Sequence, residues 1–146
     1  MVWTDFFGPN LLTKQGLKPT EEVLAGKKVV GIYFSAHWCP PCRAFTPFLG
    51  ATYDDLKEEH EDAEIIFVSS DQDDASFNEY YGSMPFLALP FEAREEKNAL
   101  SQKYGVRGIP TLLFLNEKGE LITQDGRMWV AESRGDIEQL WSKLTA

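Results

Sequence analysis

Val29-Val30-Gly31-Ile32-Tyr33-Phe34-Ser35-Ala36-His37-Trp38-Cys39-Pro40-Pro41-Cys42 decides the fold. Its first six residues form a short apolar run, rich in β-branched and aromatic side chains, which reads as an interior strand. Beyond it, Phe45, Phe48, Leu49, Thr52, Tyr53 and Leu56 recur at helical spacing. The cysteines therefore stand where a buried strand turns into a helix, three residues apart and within bonding reach of one another. They are the only two in the chain. A Cys-x-x-Cys at such a junction implies thiol–disulfide exchange.

The prolines fit the same chemistry. A helix start leaves its first N–H groups unpaired, so Pro40 and Pro41 cost little there, and their fixed φ stiffens the turn. Cys39, at the N-cap and facing outward, meets the positive end of the helix dipole, which stabilises a thiolate. Cys42 falls inside the first turn and is expected to be the more buried. Cys39 is thus the expected nucleophile and Cys42 the resolving thiol. Two competing uses fit poorly. A structural disulfide closing so small a loop would constrain the unfolded chain little. A structural zinc needs four ligands, which two cysteines with the scattered His37 and His60 do not supply.

Composition bounds the remainder. A chain of 146 residues, 43% hydrophobic, supports one ordinary core and is expected to form a single domain over 1–146. Met1 to Phe7 has no basic segment followed by a long apolar stretch, so no signal peptide is expected, and no run approaches membrane-spanning length. The lack of any further cysteine suits a reducing compartment, so the cytoplasm is expected, with the nucleus as an alternative. A formal charge of −9 argues against nucleic acid and anionic membranes as partners. No cofactor is expected beyond the Cys39–Cys42 pair itself.

No repeat, low-complexity tract or linker divides the chain. Thr20 to Gly26 reads as one helical turn with Thr20 as N-cap and Gly26 as terminator. Ala63 to Ser70 is a second buried strand, and Asp71 to Asp74 leads into a short helix through Phe77, Tyr80 and Tyr81. Leu87 to Phe91 is apolar but interrupted by Pro90, and its form stays open. Glu92 to Tyr104 is helical in pattern and ends at Gly105. Thr111–Leu115 and Glu120–Thr123 flank Asn116-Glu117-Lys118-Gly119 as a hairpin. Ile137, Leu140, Trp141 and Leu144 stripe a last helix. The order predicts an α/β fold, a central mixed sheet with helices on both faces.

The segment Tyr33 to Arg43, with Ser-Ala-His-Trp-Cys-Pro-Pro-Cys at its heart, resembles the active-site segment of the tryparedoxin and nucleoredoxin group of thioredoxin-like proteins. The likeness continues through Met84-Pro85-Phe86-Leu87-Ala88-Leu89-Pro90-Phe91 and Tyr104-Gly105-Val106-Arg107-Gly108-Ile109-Pro110-Thr111, and spans roughly Val29 to Arg127. It implies a thioredoxin-like fold with an insertion around 71–95. It also implies a protein-disulfide oxidoreductase acting on disulfide-containing proteins such as peroxiredoxins. Trypanothione, glutathione or a thioredoxin reductase would supply the electrons. Some positions depart from the group. Ser70 stands where tryparedoxins often carry Trp, and Phe86 replaces the usual Trp after Met-Pro. Ser-Ala-His-Trp and Gly-Ile-Pro-Thr lean toward nucleoredoxin, while the short chain is more like tryparedoxin. The alternative function is a nucleoredoxin-like binding module whose dithiol switches contact with a signalling protein.

The resemblance also marks supporting residues. Pro110 matches a proline that is cis in thioredoxin-like proteins and packs against the dithiol, and Ile109 before it offers its backbone to an extended substrate. Trp38 is expected to cover the site as an apolar shelf, or simply to pack there. Arg43 suits a thiolate or an anionic substrate group, or else is a solvated helix residue; Arg107 and Arg127 line the groove by family analogy. His37 is an ionisable neighbour of the dithiol, and His60 has no expected chemical role. Thioredoxins themselves carry a buried aspartate six residues before the first cysteine, where this chain has Tyr33. With a reference pKa near 10, tyrosine is a poor base, although its hydroxyl can hydrogen-bond or anchor water. Asp71 is the nearest substitute for moving a proton at Cys42, and capping the following helix is an equally good use for it.

Overall fold

The computed structural model describes residues 2–146. In chain order the elements are α1 (Val2–Phe7), β1 (Asn10–Thr13), β2 (Gly16–Pro19), α2 (Thr20–Val23), β3 (Val29–Ser35), α3 (Pro40–Glu59) and β4 (Ala63–Ser69). Then follow α4 (Asp74–Tyr81), β5 (Leu87–Ala88), α5 (Arg94–Lys103), β6 (Thr111–Asn116), β7 (Leu121–Thr123), α6 (Gly126–Ser133) and α7 (Ile137–Leu144). The strands form one sheet in the order β2-β1-β5-β4-β3-β6-β7. At its centre β3 pairs parallel with β4 and antiparallel with β6, each strand buried along most of its length.

Alternation along β3 explains how two helical layers share one sheet. Val29 and Tyr33 point to the face covered by α3, α4, α6 and α7, where Leu49, Tyr53, Phe77, Tyr80, Val130 and Leu140 pack. Val30, Ile32 and Phe34 point to the other face, against Trp3, Phe7, Leu24 and Leu100. Gly31 leaves room for the Phe114 ring, since a Cβ there would lie 3.0 Å from Cε1. The mixed sheet with helices on both faces is therefore as the element order predicts.

Several local readings need correcting. Thr20 does not cap α2: it is buried, its hydroxyl donates to the Gly8 carbonyl at 2.7 Å, and Pro19 takes the N-cap position without a side-chain bond. The helix stops at Val23, and Gly26 instead serves a later turn with φ of +73°. The apolar stretch from Leu87 yields a two-residue strand, which pairs with β4 and β1. The second hairpin strand begins at Leu121 rather than Glu120, and its pairing with β6 carries a bulge at Phe114/Leu115. Four elements were not read from sequence: α1, the hairpin strands β1 and β2, and α6.

Helix α6 sits unusually close to β6. A Cβ on Gly126 would lie 2.7 Å from the Leu112 carbonyl oxygen and 2.9 Å from the Leu112 and Phe114 side chains. The oxygen belongs to a paired central strand and cannot retreat, so α6 itself must move. Gly126→Ala is expected to cost about 1–3 kcal/mol in denaturant unfolding, the usual range for overpacking. Wild-type stability would show that α6 backs away freely.

Candidate active site

The parallel strands β3 and β4 end side by side, and the loops leaving them build the site. Ser35 pairs with Ser69, and the Ser70 N–H donates to the Ser35 carbonyl at 2.9 Å. Residues 37 and 38 therefore lie beside residues 70 and 71. Cys39 is the N-cap of α3, with Pro40 and Pro41 opening the helix. Its sulfur accepts the Cys42 N–H at 3.3 Å, taking one of the unpaired donors of the helix start. The two cysteines form a disulfide with Cα atoms 5.2 Å apart, inside the normal span of about 4.4–6.8 Å. Cys42 is wholly buried. Cys39 does not face outward as the sequence suggested: only 5% of it is exposed, because Ala36 and Ile109 pack against the pair.

Ile109-Pro110 is a cis peptide. Pro110 is buried, and the Ile109 carbonyl oxygen stands 4.0 Å from the Cys39 sulfur. Arg127, exposed on α6, borders a shallow cleft of about 350 Å³ with Pro110 and Thr111, and its guanidinium lies 5.8 Å from the centre of the Phe45 ring. Arg107 is exposed two residues before Ile109. Among the described residues no group of three or more His, Cys, Asp or Glu side chains is placed to hold a metal ion.

The approach to Cys39 is latched on both sides. The Asp71 carboxylate accepts the His37 N–H at 2.7 Å and the Ser69 hydroxyl at 2.7 Å. Arg43 donates to the His37 carbonyl at 3.2 Å, so it holds the loop rather than standing free beside the dithiol. The Trp38 ring N–H donates to the Ser70 carbonyl at 3.0 Å, yet the residue is 55% exposed. Trp38 is thus tethered beside the dithiol loop with much of its ring open to solvent. Behind Asp71, Arg94 donates to the carbonyls of Ser69 and Phe91 and stacks on the Phe91 ring. Burial pulls its pKa below the usual value, and the Asp71 charge offsets part of that.

In this disulfide-bonded form the Asp71 carboxylate is engaged by His37 and Ser69 and makes no hydrogen bond to Cys42. Nor does it cap α4: Asp73 does, accepting the Ser76 N–H at 2.7 Å, and those hydrogen bonds lower the Asp73 pKa. What lies next to Cys42 is a set of buried hydroxyls. The Tyr33 hydroxyl is 2.8 Å from that of Thr46 and 3.3 Å from the Cys42 carbonyl. Thr46 donates to the same carbonyl at 2.8 Å, and the Tyr80 hydroxyl lies 2.6 Å from Thr46 and 2.8 Å from Ser35. Thr46, Ser35 and Tyr80 had no site role in the sequence reading, since hydroxyl side chains at these spacings match no motif. His60 is remote, stacked on Trp141 and paired with Glu138.

Burial pushes the Tyr33 pKa up to about 12 from its ordinary 10. The unfolded chain ionises this phenol from about pH 10 while the folded chain holds its proton to about pH 12. Native stability is complete below pH 10 and falls through that window, by roughly 2–3 kcal/mol for Tyr33. Tyr53 and Tyr81 are also pushed up, by burial first and by the Glu64 charge second. Alkaline unfolding followed by tyrosinate absorbance and circular dichroism should show both signals changing together. An unchanged alkaline midpoint in Tyr33→Phe would remove Tyr33 from the account.

Comparison with known proteins agrees with this geometry. A family described as thioredoxin-like matches residues 26–121. Mouse nucleoredoxin is 41% identical over 142 residues, covering 86% of this chain and 33% of the nucleoredoxin. The chain thus spans about a third of the length of the nucleoredoxins it matches. Tryparedoxin from Trypanosoma brucei brucei is 43% identical over 139 residues, covering 90% of each chain. Among solved structures, tryparedoxin II complexed with glutathionylspermidine superposes with a TM-score of 0.85 at 37% identity, covering 92% of this chain and 94% of that one. A Cys-Pro-Pro-Cys pair at the head of a helix, a sheet built around β3 and β4, and these relatives together place the chain in the thioredoxin-like family, in the group of the tryparedoxins and nucleoredoxins.

Proposed function

We propose that this chain reduces protein disulfides, with Cys39 as attacking thiolate and Cys42 as resolving thiol. The observation that carries the reading is the placement of the pair. Cys39 caps α3 and accepts the Cys42 N–H, while Cys42 is sealed beneath it. A sulfur at that position gains from the helix dipole and from N–H donors when it is negative. The reduced Cys39 thiolate attacks one sulfur of the partner's disulfide, forming a mixed disulfide and expelling the other partner sulfur. Cys42 then bonds to Cys39, and its proton goes to the departing partner sulfur. A dithiol donor restores the pair by the same exchange in reverse. The backbone of Ile109, beside Cys39 and ahead of Pro110, is the docking edge for an extended partner segment.

Peroxidases of the peroxiredoxin type are the proposed protein substrates, as befits the tryparedoxin likeness over 90% of both chains. The match to about a third of nucleoredoxin supports the second reading, a module that binds a signalling protein under redox control. Insulin reduction with several donors, beside capture of partners by Cys42→Ser, separates the two: catalytic turnover favours the first, stable capture without turnover the second. Limited alkylation at about pH 6 should label Cys39 first, because only its thiol is stabilised as thiolate. Preferential labelling of Cys42 would reverse the assignment. The reduction potential is expected at roughly −230 mV, between thioredoxin and protein disulfide isomerase. A value near that of a strong oxidant rejects a reductase.

Trypanothione, glutathione or a thioredoxin reductase would supply the electrons, and charge favours trypanothione over glutathione. Glutathione is anionic, whereas trypanothione carries an added cation in its spermidine bridge. Asp71 is engaged and faces Arg94, so exposed Asp73 and Asp74 carry the negative field at this rim. Their pull on a cationic thiol is about 1 kcal/mol or less and fades as salt rises. Reduction by trypanothione should be faster than by glutathione at low salt, with the ratio shrinking at high salt. A ratio indifferent to salt would sink the charge argument.

A further inference from the structure

The buried hydroxyls of Tyr33, Thr46, Tyr80 and Ser35 link β3, α3 and α4 in one set, and those of Tyr33 and Thr46 meet at the carbonyl oxygen of Cys42. In an ordinary helix that oxygen takes one N–H from four residues on. Here it also receives the Thr46 hydroxyl at 2.8 Å and lies 3.3 Å from that of Tyr33. The extra bonds fall where α3 is weakest. Pro47 has no N–H to give the Arg43 carbonyl, so the first turn is joined to the rest of the helix by one bond fewer. That turn holds Cys42, while Cys39 stands before it at the N-cap. Thr46 and Tyr33 fasten it to β3, and Tyr80, in contact with Thr46 and Ser35, closes the set from α4. All four residues are almost wholly buried, which leaves these hydroxyls to satisfy one another away from water.

We infer that this hydroxyl set, with Tyr80 as its outer member, positions Cys42 for the resolving step and leaves the attack by Cys39 untouched. None of the four hydroxyls has a sulfur among its hydrogen-bond partners, so they act through the helix turn and are positioning residues. The phenol of Tyr33, its pKa raised by burial, stays a neutral donor throughout the working pH range. Resolution forms the Cys39–Cys42 bond, breaks the bond from Cys39 to the partner sulfur, and moves one proton from Cys42 to that sulfur. A turn free to pivot at Pro47 would hold Cys42 Sγ in line with the mixed disulfide less often. The attack by Cys39 depends instead on the N-cap, which the hydroxyls do not touch.

The inference rests on the assignment of attacking and resolving thiols, and one experiment separates the two. The reduced chain, residues 1–146, is mixed with a symmetrical chromogenic aryl disulfide, whose two halves are released in turn. The first release reports attack by Cys39, and the second reports resolution by Cys42. Tyr80→Phe keeps a ring that packs edge-on against Phe67 at 5.5 Å, so it removes the hydroxyl alone. It should slow the second release about fivefold, as expected for one lost hydrogen bond, and leave the first within about twofold. Thr46→Val should slow the second release at least as much, and Thr46→Ser should restore it. Equal slowing of both releases, or a second release unchanged in Tyr80→Phe and Thr46→Val, overturns the inference. Cys42→Ser tests the underlying assignment in the same assay: a first release without a second upholds it, and loss of the first instead rejects it.

Discussion

Cys42→Ser should accumulate a stable mixed disulfide on Cys39, whereas Cys39→Ser should form almost none. Both variants should lose protein-disulfide reduction by on the order of a thousandfold or more, since each removes a bond-forming atom. The reasons differ. In Cys39→Ser the sulfur that caps α3 is gone, and the remaining thiol is wholly buried beneath the turn. In Cys42→Ser the attack proceeds, but a serine hydroxyl cannot displace a thiolate from Cys39. The hydroxyl is nearly isosteric with the thiol but more polar, so in this dry position it should cost up to about 1–3 kcal/mol beyond the lost disulfide where it finds no hydrogen-bond partner. Non-reducing electrophoresis and mass spectrometry, without any small thiol that could resolve the adduct, read the outcome directly. Trapping by Cys39→Ser, or sustained turnover by Cys42→Ser, would end the assignment.

What could be read in advance followed the strength of the local signal. β3 and α3 carry unmistakable patterns, one an unbroken apolar run and the other a long stripe with two prolines at its head. Their junction alone located the dithiol. The hairpin β1–β2 left no such trace: each strand has four residues, Leu17 is exposed, and the turn around Lys14 and Gln15 lacks an Asn-Gly type pair. It joins the sheet through the pairing of Leu12 with Ala88 of β5, a contact made across about half of the chain. Helix α6 escaped for a related reason. Its one deeply buried large side chain is Val130, and its closeness to β6 depends on a glycine, which periodicity does not register.

The site was legible in its covalent chemistry and less so in its supports. Cys39 and Cys42 stand in a motif whose spacing carries meaning, whereas Pro110 was marked by the family resemblance alone. Asp71 and Trp38 were chosen by position along the chain, and their partners lie across the sheet. The difference matters most for Asp71, because a strand-end carboxylate near a dithiol suggests proton transfer. Its hydrogen bonds point instead to fixing the loop ahead of Cys39. Tyr80 could have been suspected only as a buried polar group in need of partners, a demand that sequence states without saying who meets it.

Asp71→Ala should therefore be costly to the fold and mild for the chemistry. It removes an ionised acceptor from the His37 N–H and the Ser69 hydroxyl, both at 2.7 Å, and Asp71 itself is only 5% exposed. Hydrogen bonds to charged groups contribute about 1.5–3 kcal/mol each, and partial rehydration returns some of it, so a loss of about 2–4 kcal/mol is expected. Arg94 would add to the cost, since Asp71 is first among the negative charges that offset its burial. Asp71→Asn keeps an oxygen for His37 and should lose about half as much. If Asp71 only holds the loop, Asp71→Asn should resolve mixed disulfides at nearly the wild-type rate across neutral pH. A carboxylate that carried the Cys42 proton would make that variant slower by about a hundredfold or more, the usual worth of a general base. Unfolding curves and the pH profile of resolution, measured on the same two variants, decide between a latch and a base.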